Sequence, residues 1–473
     1  MLLAFLLIAA MADWVPARWN SADPELLALL ADTPVNCLLL ERDSWSKELV
    51  GSAAKRNVAA LGVIRPGSGA AREVVKAGDL GFAGVVFEGN FGEAGAGPLR
   101  TAAEEAGLKV VELPPRGYLD LGSKAPVIGT YQGVWAGIHT MDDGSAKAAP
   151  TGAPWIDTNT GFARFIRAVS GAALWIGSRP PEGQVIPPTR YSQAIGDAGM
   201  VGARWIVALD ADLEERLFER EAKALAAWKE IGGQLRFWEE HREWTLAPPC
   251  GQLAIVVGAG AGGLLSNGIL DMITARHIPL RTVAPRNLDG VSMRGARIAV
   301  NVDPPALSAA QTAALRQFAR DGGMLLSAPP GWTFPEQRPD QVTVDDEDVE
   351  KLDDIWHGVN MTIGRENLGI RLFNVASMRS ELVSPPGSRT TILHLVNYSD
   401  YPVENVTIRP LLHTRQATLH APGREPEELE IFENGEIDIA EVGAAAIVVL
   451  EPLGDEEQPA TRTGTEHQPG HAH

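Results

Sequence analysis

Residues 36–41 (NCLLLE), 59–65 (AALGVIR) and 83–88 (AGVVFE) are short apolar runs, each closing on a charged residue and leading through a Gly, Pro or polar junction into a helical stretch. The unit recurs at 108–113 (LKVVEL), 126–132 (PVIGTYQ), 172–178 (AALWIGS), 203–210 (ARWIVALD) and 234–238 (QLRFW). Near-continuous apolar strands separated by helical periodicity predict a parallel sheet covered on both faces. Eight units in succession predict a (β/α)8 TIM-type barrel over residues 13–242, with an open doubly wound sheet as the alternative.

The chain continues past this block in two different styles. Residues 251–332 alternate strands (LAIVV at 253–257, Leu280–Val283, Ala296–Val300, Met324–Ser327) with helices, a flavodoxin-like or Rossmann-like α/β unit. Residues 333–365, centred on DDEDVEKLDD, are expected to form an acidic connector. Short strands with turn residues between them, among them TTILHLV (390–396), PVENVTI (402–408) and Ala444–Leu450, predict a small β-sandwich over 366–452. The polar remainder, 453–473, is expected to be a disordered tail.

All 473 residues carry a formal net charge of -19, which disfavours nucleic acid and anionic membrane surfaces as partners. Cys37 and Cys250 are too few for a disulfide framework and sit in no zinc-like spacing, so no metal is expected. The apolar opening MLLAFLLIAAMA ends in the small-x-small site Ala10-Met11-Ala12 and predicts a signal peptide over residues 1–12, hence a secreted or periplasmic protein. It is too short to be a membrane span, and no other run approaches that length.

Catalytic groups of such a barrel belong at the C-terminal ends of its strands, and acids fall there repeatedly: Glu41, Glu88, Glu112, Asp210 and Glu239. Two carboxylates facing one pit are what glycoside hydrolysis requires, one as acid and one as nucleophile or base. The longest loop, Gly133–Thr158, holds Trp135, His139, Trp155 and Asp157, which suit sugar stacking and hydrogen bonding. Asp157 is equally placed to cap the following helix. Gly258, Gly260 and Gly263 match a dinucleotide fingerprint, but the next strand ends in RTVAP without the acidic ribose ligand. A tight structural turn is therefore expected there, no cofactor is assigned, and a dinucleotide-dependent oxidoreductase stays as a competing class.

The segments GGLLSNGILDMITARHIPLRTV and QFARDGGMLLSAPPGW, with RLFNVASM and TILHLVNYSDYPVENVTI further on, resemble secreted multidomain glycoside hydrolases of the beta-galactosidase type. That resemblance implies a catalytic barrel, a glutamine-amidotransferase-like domain that supports homo-oligomers, and a β-sandwich. It implies an acid/base after the fourth barrel strand and a nucleophile after the seventh, which the count above assigns to Glu112 and Asp210, with Glu41 and Glu88 holding sugar hydroxyls. Apolar neighbours Val111, Leu113 and Pro114 would keep Glu112 protonated near neutrality. The family's Asn-Glu pair is absent, since Val111 precedes Glu112. A degenerate barrel that binds glycan without cleaving it is the alternative function.

Overall fold

The structure, a computed structural model, describes residues 10–149, 152–258, 264–328, 341–342, 346–364 and 368–454. Its first part is built on β1 (Pro16–Trp19), β2 (Cys37–Leu40), β3 (Ala59–Ile64), β4 (Gly84–Glu88), β5 (Lys109–Leu113) and β6 (Val127–Thr130), then a hairpin of β7 (Gly137–Ile138) and β8 (Ile156–Asp157), then β9 (Ala173–Gly177) and β10 (Ala203–Ile206). Apart from the hairpin these strands are parallel, in the orders β1-β2-β3-β4-β5 and β6-β9-β10. A parallel bridge between Ala17 and Val207 joins β10 to β1, and Thr130 Oγ1 donates to the Pro114 carbonyl at 2.8 Å where β6 meets β5. Eight strands thus make a barrel-like core.

Helices α1 (Lys47–Lys55), α2 (Ala70–Leu80), α3 (Gly92–Glu105), α4 (Thr160–Val169), α5 (Pro188–Met200), α6 (Ala211–Phe218), α7 (Ala222–Glu240) and the one-turn α8 (Arg242–Thr245) lie between and after these strands. Strand residues alternate between two apolar clusters, as a period of two demands. Leu38, Leu40, Val85 and Phe87 pack outward with the helices, while Cys37, Leu39, Leu61, Val63, Val86, Val111, Leu113, Trp175 and Ile206 fill the interior. Gly129 makes room for Trp175 there: a Cβ at that position would stand 2.6 Å from Leu113 Cδ2 and 3.1 Å from Trp175 Cβ.

The strand count departs from expectation at both ends. The first strand is Pro16–Trp19, which the apolar pattern passes over, and residues 234–238 are helical, inside α7. Each of the other expected strands is therefore one place further along the barrel than its sequence order suggests.

The second part has β11 (Leu253–Val256), β12 (Leu280–Val283), β13 (Ile298–Asn301) and β14 (Met324–Ser327), parallel in the order β12-β11-β13-β14. With them go α9 (Leu264–Thr274), α10 (Ala309–Arg320) and α11 (Asp346–Ile363). The glycine run 259–263 lies outside the described residues. The expected acidic connector is, from Asp346, the helix α11. Leu352, Ile355, Trp356, Val359 and Ile363 recur at helical spacing and are buried, while Glu350 and Asp354 are exposed.

The third part is β15 (Ile370–Phe373), β16 (Met378–Val383), β17 (Thr391–Asn397), β18 (Val403–Pro410), β19 (Thr414–His420), β20 (Glu427–Leu429), β21 (Ile437–Val442) and β22 (Ala445–Pro452). They form two antiparallel sheets, β15-β18-β21 and β16-β17-β22-β19-β20, closed over a core that includes Leu393, Leu395, Val406, Ile408, Ile439 and Val448. Residues 1–9 and 455–473, the bulk of the expected signal peptide and tail, lie outside the described residues. Met11 packs against the cluster filling the barrel interior, and the Ala12 carbonyl accepts a hydrogen bond from Arg204.

Helix α4 ties the three parts together. Its N-cap residue Asn159 makes no capping bond; Asp271 of α9 does so from outside. Asp271 Oδ1 accepts from Gly161 N at 2.8 Å and from the hydroxyls of Thr158 and Thr160 at 3.0 Å each. One turn on, Arg164 reaches Glu381 of β16, with Nε and Nη2 at 2.8 and 2.7 Å from Oε2, and donates to the Ser380 carbonyl at 3.1 Å. Both partners are almost wholly buried. Breaking such a pair from one side strands a buried charge at a cost of about 3–5 kcal/mol, whereas replacing both partners with apolar residues is often near neutral. We therefore expect Arg164→Met to lower the urea midpoint sharply and Arg164→Met with Glu381→Leu to recover much of the loss. Equal losses in the single and double variants would show that the pair is not the joint described here.

Candidate functional site

Period-two alternation places five charged side chains at the C-terminal mouth of the barrel. Arg18 is an inward residue of β1; Glu41, Arg65 and Glu88 continue the inward rows of β2, β3 and β4; Arg179 continues that of β9 beyond Gly177. They form one network. Arg65 Nη1 donates to Glu41 Oε2 at 2.8 Å, and Arg65 Nη2 to Glu41 Oε1 and Glu88 Oε1, each at 2.9 Å. Arg18 donates to Glu41 at 3.3 Å and, through Nη2, to Glu88; Arg179 Nη2 donates to Glu41 and lies 3.3 Å from Glu88 Oε1.

Burial alone would push the pKa of both glutamates up, but their arginines outweigh it. Arg65 and Arg179 hold Glu41 below the ordinary carboxylate range, and Arg18, Arg179 and Arg65 do the same for Glu88. Both are ionised at neutrality, so neither stands ready as a proton donor.

Beside this network lies a cleft of about 420 Å³. Arg18, Asn20 and Arg179 line it, with the loop from Pro180 to Val185 and, at the start of α6, Asp212 and Glu214. Burial pushes the Glu214 carboxyl up, against the hydrogen bonds it accepts from Asn20 Nδ2 at 3.1 and 2.9 Å. Sequence reasoning missed Glu214 because it sits on a helix and not at a strand end.

The expected catalytic pair is not assembled. Glu112 is on β5, the fifth strand, between the inward residues Val111 and Leu113, so it points outward. There it pairs with Arg100, Nη2 to Oε2 at 3.0 Å, and lines a different cleft of about 460 Å³ with Asn90, Tyr118 and Asp120. The apolar shielding expected for it is absent, since Val111 and Leu113 face the other way. Asp210 follows the eighth strand and is an N-cap. Only 2% exposed, it accepts from Leu213 N at 3.1 Å, Ile186 N at 3.2 Å and Tyr191 Oη at 2.9 Å, which fixes the 180–187 loop onto α6. Glu239 is in α7 at the opposite end of the barrel, bidentate to Arg204 at 2.7 Å.

The loop residues separate into two groups. Trp135 backs the mouth: its Nε1 donates to the Arg179 carbonyl at 3.2 Å and its ring packs edge-on against Tyr191 and Trp205. His139, Trp155 and Asp157 gather elsewhere, with His139 Nδ1 2.9 Å from Asp157 Oδ2 and Trp155 Nε1 3.2 Å from Asp157 Oδ1. Trp155 borders a small cavity shared with Asp271, Trp356 and Arg379, facing the second part of the chain. Asp157 thus orients two aromatic rings, and capping falls to Asp271.

Underneath, Asn159 binds Arg116 Nη2 at 2.7 Å, Val134 N at 2.9 Å and, through its own N–H groups, Asp197 Oδ2 at 2.8 and 2.9 Å. Tyr398 of the third part donates to Asp197 Oδ1 at 2.7 Å.

Among the described residues no group of His, Cys, Asp and Glu is arranged to hold a metal, and no helix is long and apolar enough to cross a membrane. No family model matches the sequence, and no curated protein matches it. Among solved structures, alpha-L-fucosidase isoenzyme 2 from Paenibacillus thiaminolyticus is similar over 93% of this chain and 100% of its own, at 12% identity and a TM-score of 0.61. Tryptophan synthase from M. tuberculosis covers 48% of this chain and 94% of its own at 11% identity, with a TM-score of 0.32. The glycoside hydrolase domain of PelA from Pseudomonas aeruginosa covers 42% and 95% at 15% identity, with a TM-score of 0.28. The last two likenesses are too loose to bear on this chain. The first is one of fold: barrel-like core and C-terminal antiparallel sheets together are laid out as in a glycoside hydrolase.

Asp197 makes the support beneath the site sensitive to pH. Burial pushes its carboxyl up to about 6, against the hydrogen bonds from Tyr398 and Asn159. Its unfolded value is about 3.9, so the folded chain holds this proton more tightly. The stability this gives is fully present below about pH 4 and is lost as pH rises through about 6. We expect the urea midpoint of the wild type, relative to Asp197→Asn, to rise as pH falls from 7 to 4; a difference that is flat with pH would contradict this.

Proposed function

We propose that the chain is a carbohydrate-binding protein on a glycoside hydrolase-like barrel, which takes glycan at the C-terminal mouth without cleaving it. The observation that carries this reading is the pairing of Glu88 with Arg179. In the beta-galactosidase-type hydrolases that the sequence resembles, the acid/base follows the fourth barrel strand and the nucleophile the seventh. Counted from Pro16–Trp19, those two places hold Glu88 and Arg179. A guanidinium stays protonated and has no nucleophilic lone pair to offer, and Glu88 beside it is held ionised. Hydrolysis through Glu112 and Asp210 has no geometric support, because one faces outward and the other is a buried cap.

The cleft beside the network falls within the size range typical of small-molecule sites, roughly 300–1,000 Å³, and offers both donors and acceptors to sugar hydroxyls. A broad panel of oligosaccharides tested on the full chain should show saturable binding of at least one glycan and no product in the same mixtures. Glu112→Gln should leave that binding within about twofold, as expected for a residue outside the site. Turnover of any panel member that disappears in Glu88→Gln would sink the non-catalytic reading.

We extend the proposal to location. The apolar opening and the Ala10-Met11-Ala12 site support export, with a mature N-terminus at Asp13. Intact-mass measurement on protein from the native host should find that N-terminus outside the cytoplasm; an unprocessed cytoplasmic chain would refute it.

A further inference from the structure

We infer that the glycan taken at the mouth is an acidic one, carrying its anion as a carboxylate or a sulfate. The inference rests on the carbohydrate-binding reading above and specifies its ligand class.

Three guanidiniums and two carboxylates leave the mouth network with one surplus positive charge, in a chain whose formal net charge is -19. Arg179 is the member of that network exposed in the cleft, whose lining also holds the acids Glu182, Asp210, Asp212 and Glu214. Arg179 engages the glutamates through Nη2, and among the described residues its Nε and Nη1 have no hydrogen-bond partner; its side chain is 47% exposed. Arg18 is 6% exposed and lines the same cleft, and its Nε is buried without a partner. The free N–H groups of Arg179, Nε and Nη1, flank the occupied Nη2, and each can give a single charge-assisted hydrogen bond to a carboxylate or sulfate oxygen.

The opposite wall differs in kind. Asp212 and Glu214 rise from the first turn of α6, and Asn20 holds the Glu214 carboxylate by both oxygens. Carboxylates there accept hydrogen bonds from hydroxyls and repel anions. A ligand must therefore present an anionic group to Arg18 and Arg179 and hydroxyls to Glu214 and Asp212. A uronic acid residue or a sulfated hexose does both, whereas a neutral sugar meets the cationic wall with hydroxyl oxygens that bring no opposite charge and a free inorganic anion leaves the hydroxyl-accepting wall unmatched.

The test measures binding to the full chain by calorimetry with three probes: a uronate trisaccharide, a sulfated trisaccharide and a neutral hexose trisaccharide. At least one acidic probe should bind about tenfold or more tightly than the neutral one, as loss of a charge-assisted hydrogen bond predicts. Its affinity should also fall between 50 and 500 mM NaCl, as screening of a half-exposed charge requires. Whichever acidic probe binds more tightly identifies the anion. Arg179→Gln should weaken the acidic probe by about tenfold, with Arg179→Lys between it and the wild type; the lysine variant carries the test should the glutamine variant melt early. Glu214→Gln should weaken the acidic probe while leaving its salt dependence unchanged. Equal or tighter binding of the neutral probe, or acidic binding indifferent to Arg179→Gln, overturns this inference and leaves the carbohydrate-binding reading standing. Failure of all three probes to bind overturns this inference as well, and the carbohydrate-binding reading then stands or falls with the broad panel.

Discussion

A ten-residue helix cannot satisfy its own ends, and in this protein the missing partners of α4 come from other parts of the chain. Asp271 of the α/β unit closes its N-terminus, and Glu381 of the sandwich neutralises Arg164 one turn further on. An ordinary surface cap would satisfy the first turn with no consequence beyond the helix. Here the same backbone requirement ties the barrel helix to α9, and Arg164 in that helix ties it to β16, so one element joins three structural parts. The arrangement extends to the mouth. Asn159, directly before α4, fixes Arg116, Val134 and Asp197, and the loop that follows Val134 carries Trp135 to the Arg179 carbonyl.

Much of this was legible in the sequence, and the failures share a cause. The apolar strands β2 to β5 and the sandwich strand β17 stand within a residue or two of their expected limits, because an apolar run between turn residues has few other uses. β1 and β16 are passed over because PARW buries Arg18 inside the barrel and MRSELV buries Arg379 and Glu381 on the face turned away from the sandwich core, and buried charges look on paper like a solvated stretch. QLRFW was misread for the opposite reason. Gly232-Gly233 looks like a chain break, yet Gly232 is there for close approach: a Cβ on it would stand 2.9 Å from Thr33 Cγ2. The acids of α11 similarly concealed an apolar face whose spacing is helical.

At the mouth, strand-end position singles out Glu41, Glu88 and Glu112 alike, and period two turns the first two inward and the third outward. The same rule applied to AALGVIR gives Arg65, so that arginine was readable, but a search for carboxylate pairs passes over the cations that neutralise them. Shifting the strand count by one then changed the chemistry, since it moved the two decisive positions from Glu112 and Asp210 to Glu88 and Arg179.

The five-membered network also constrains how the sequence can drift. Glu88 has 7% of its side chain exposed and Arg18 has 4%, so neither can change sign or be lost while the others remain without leaving a buried charge uncompensated. A carboxylate pair at these two strand ends would require an acid at position 179 and simultaneous relief of the arginines at 18 and 65. No single substitution accomplishes that, and one that removes Arg18 or Glu88 alone leaves a buried charge uncompensated, so these two are exchanged together or kept.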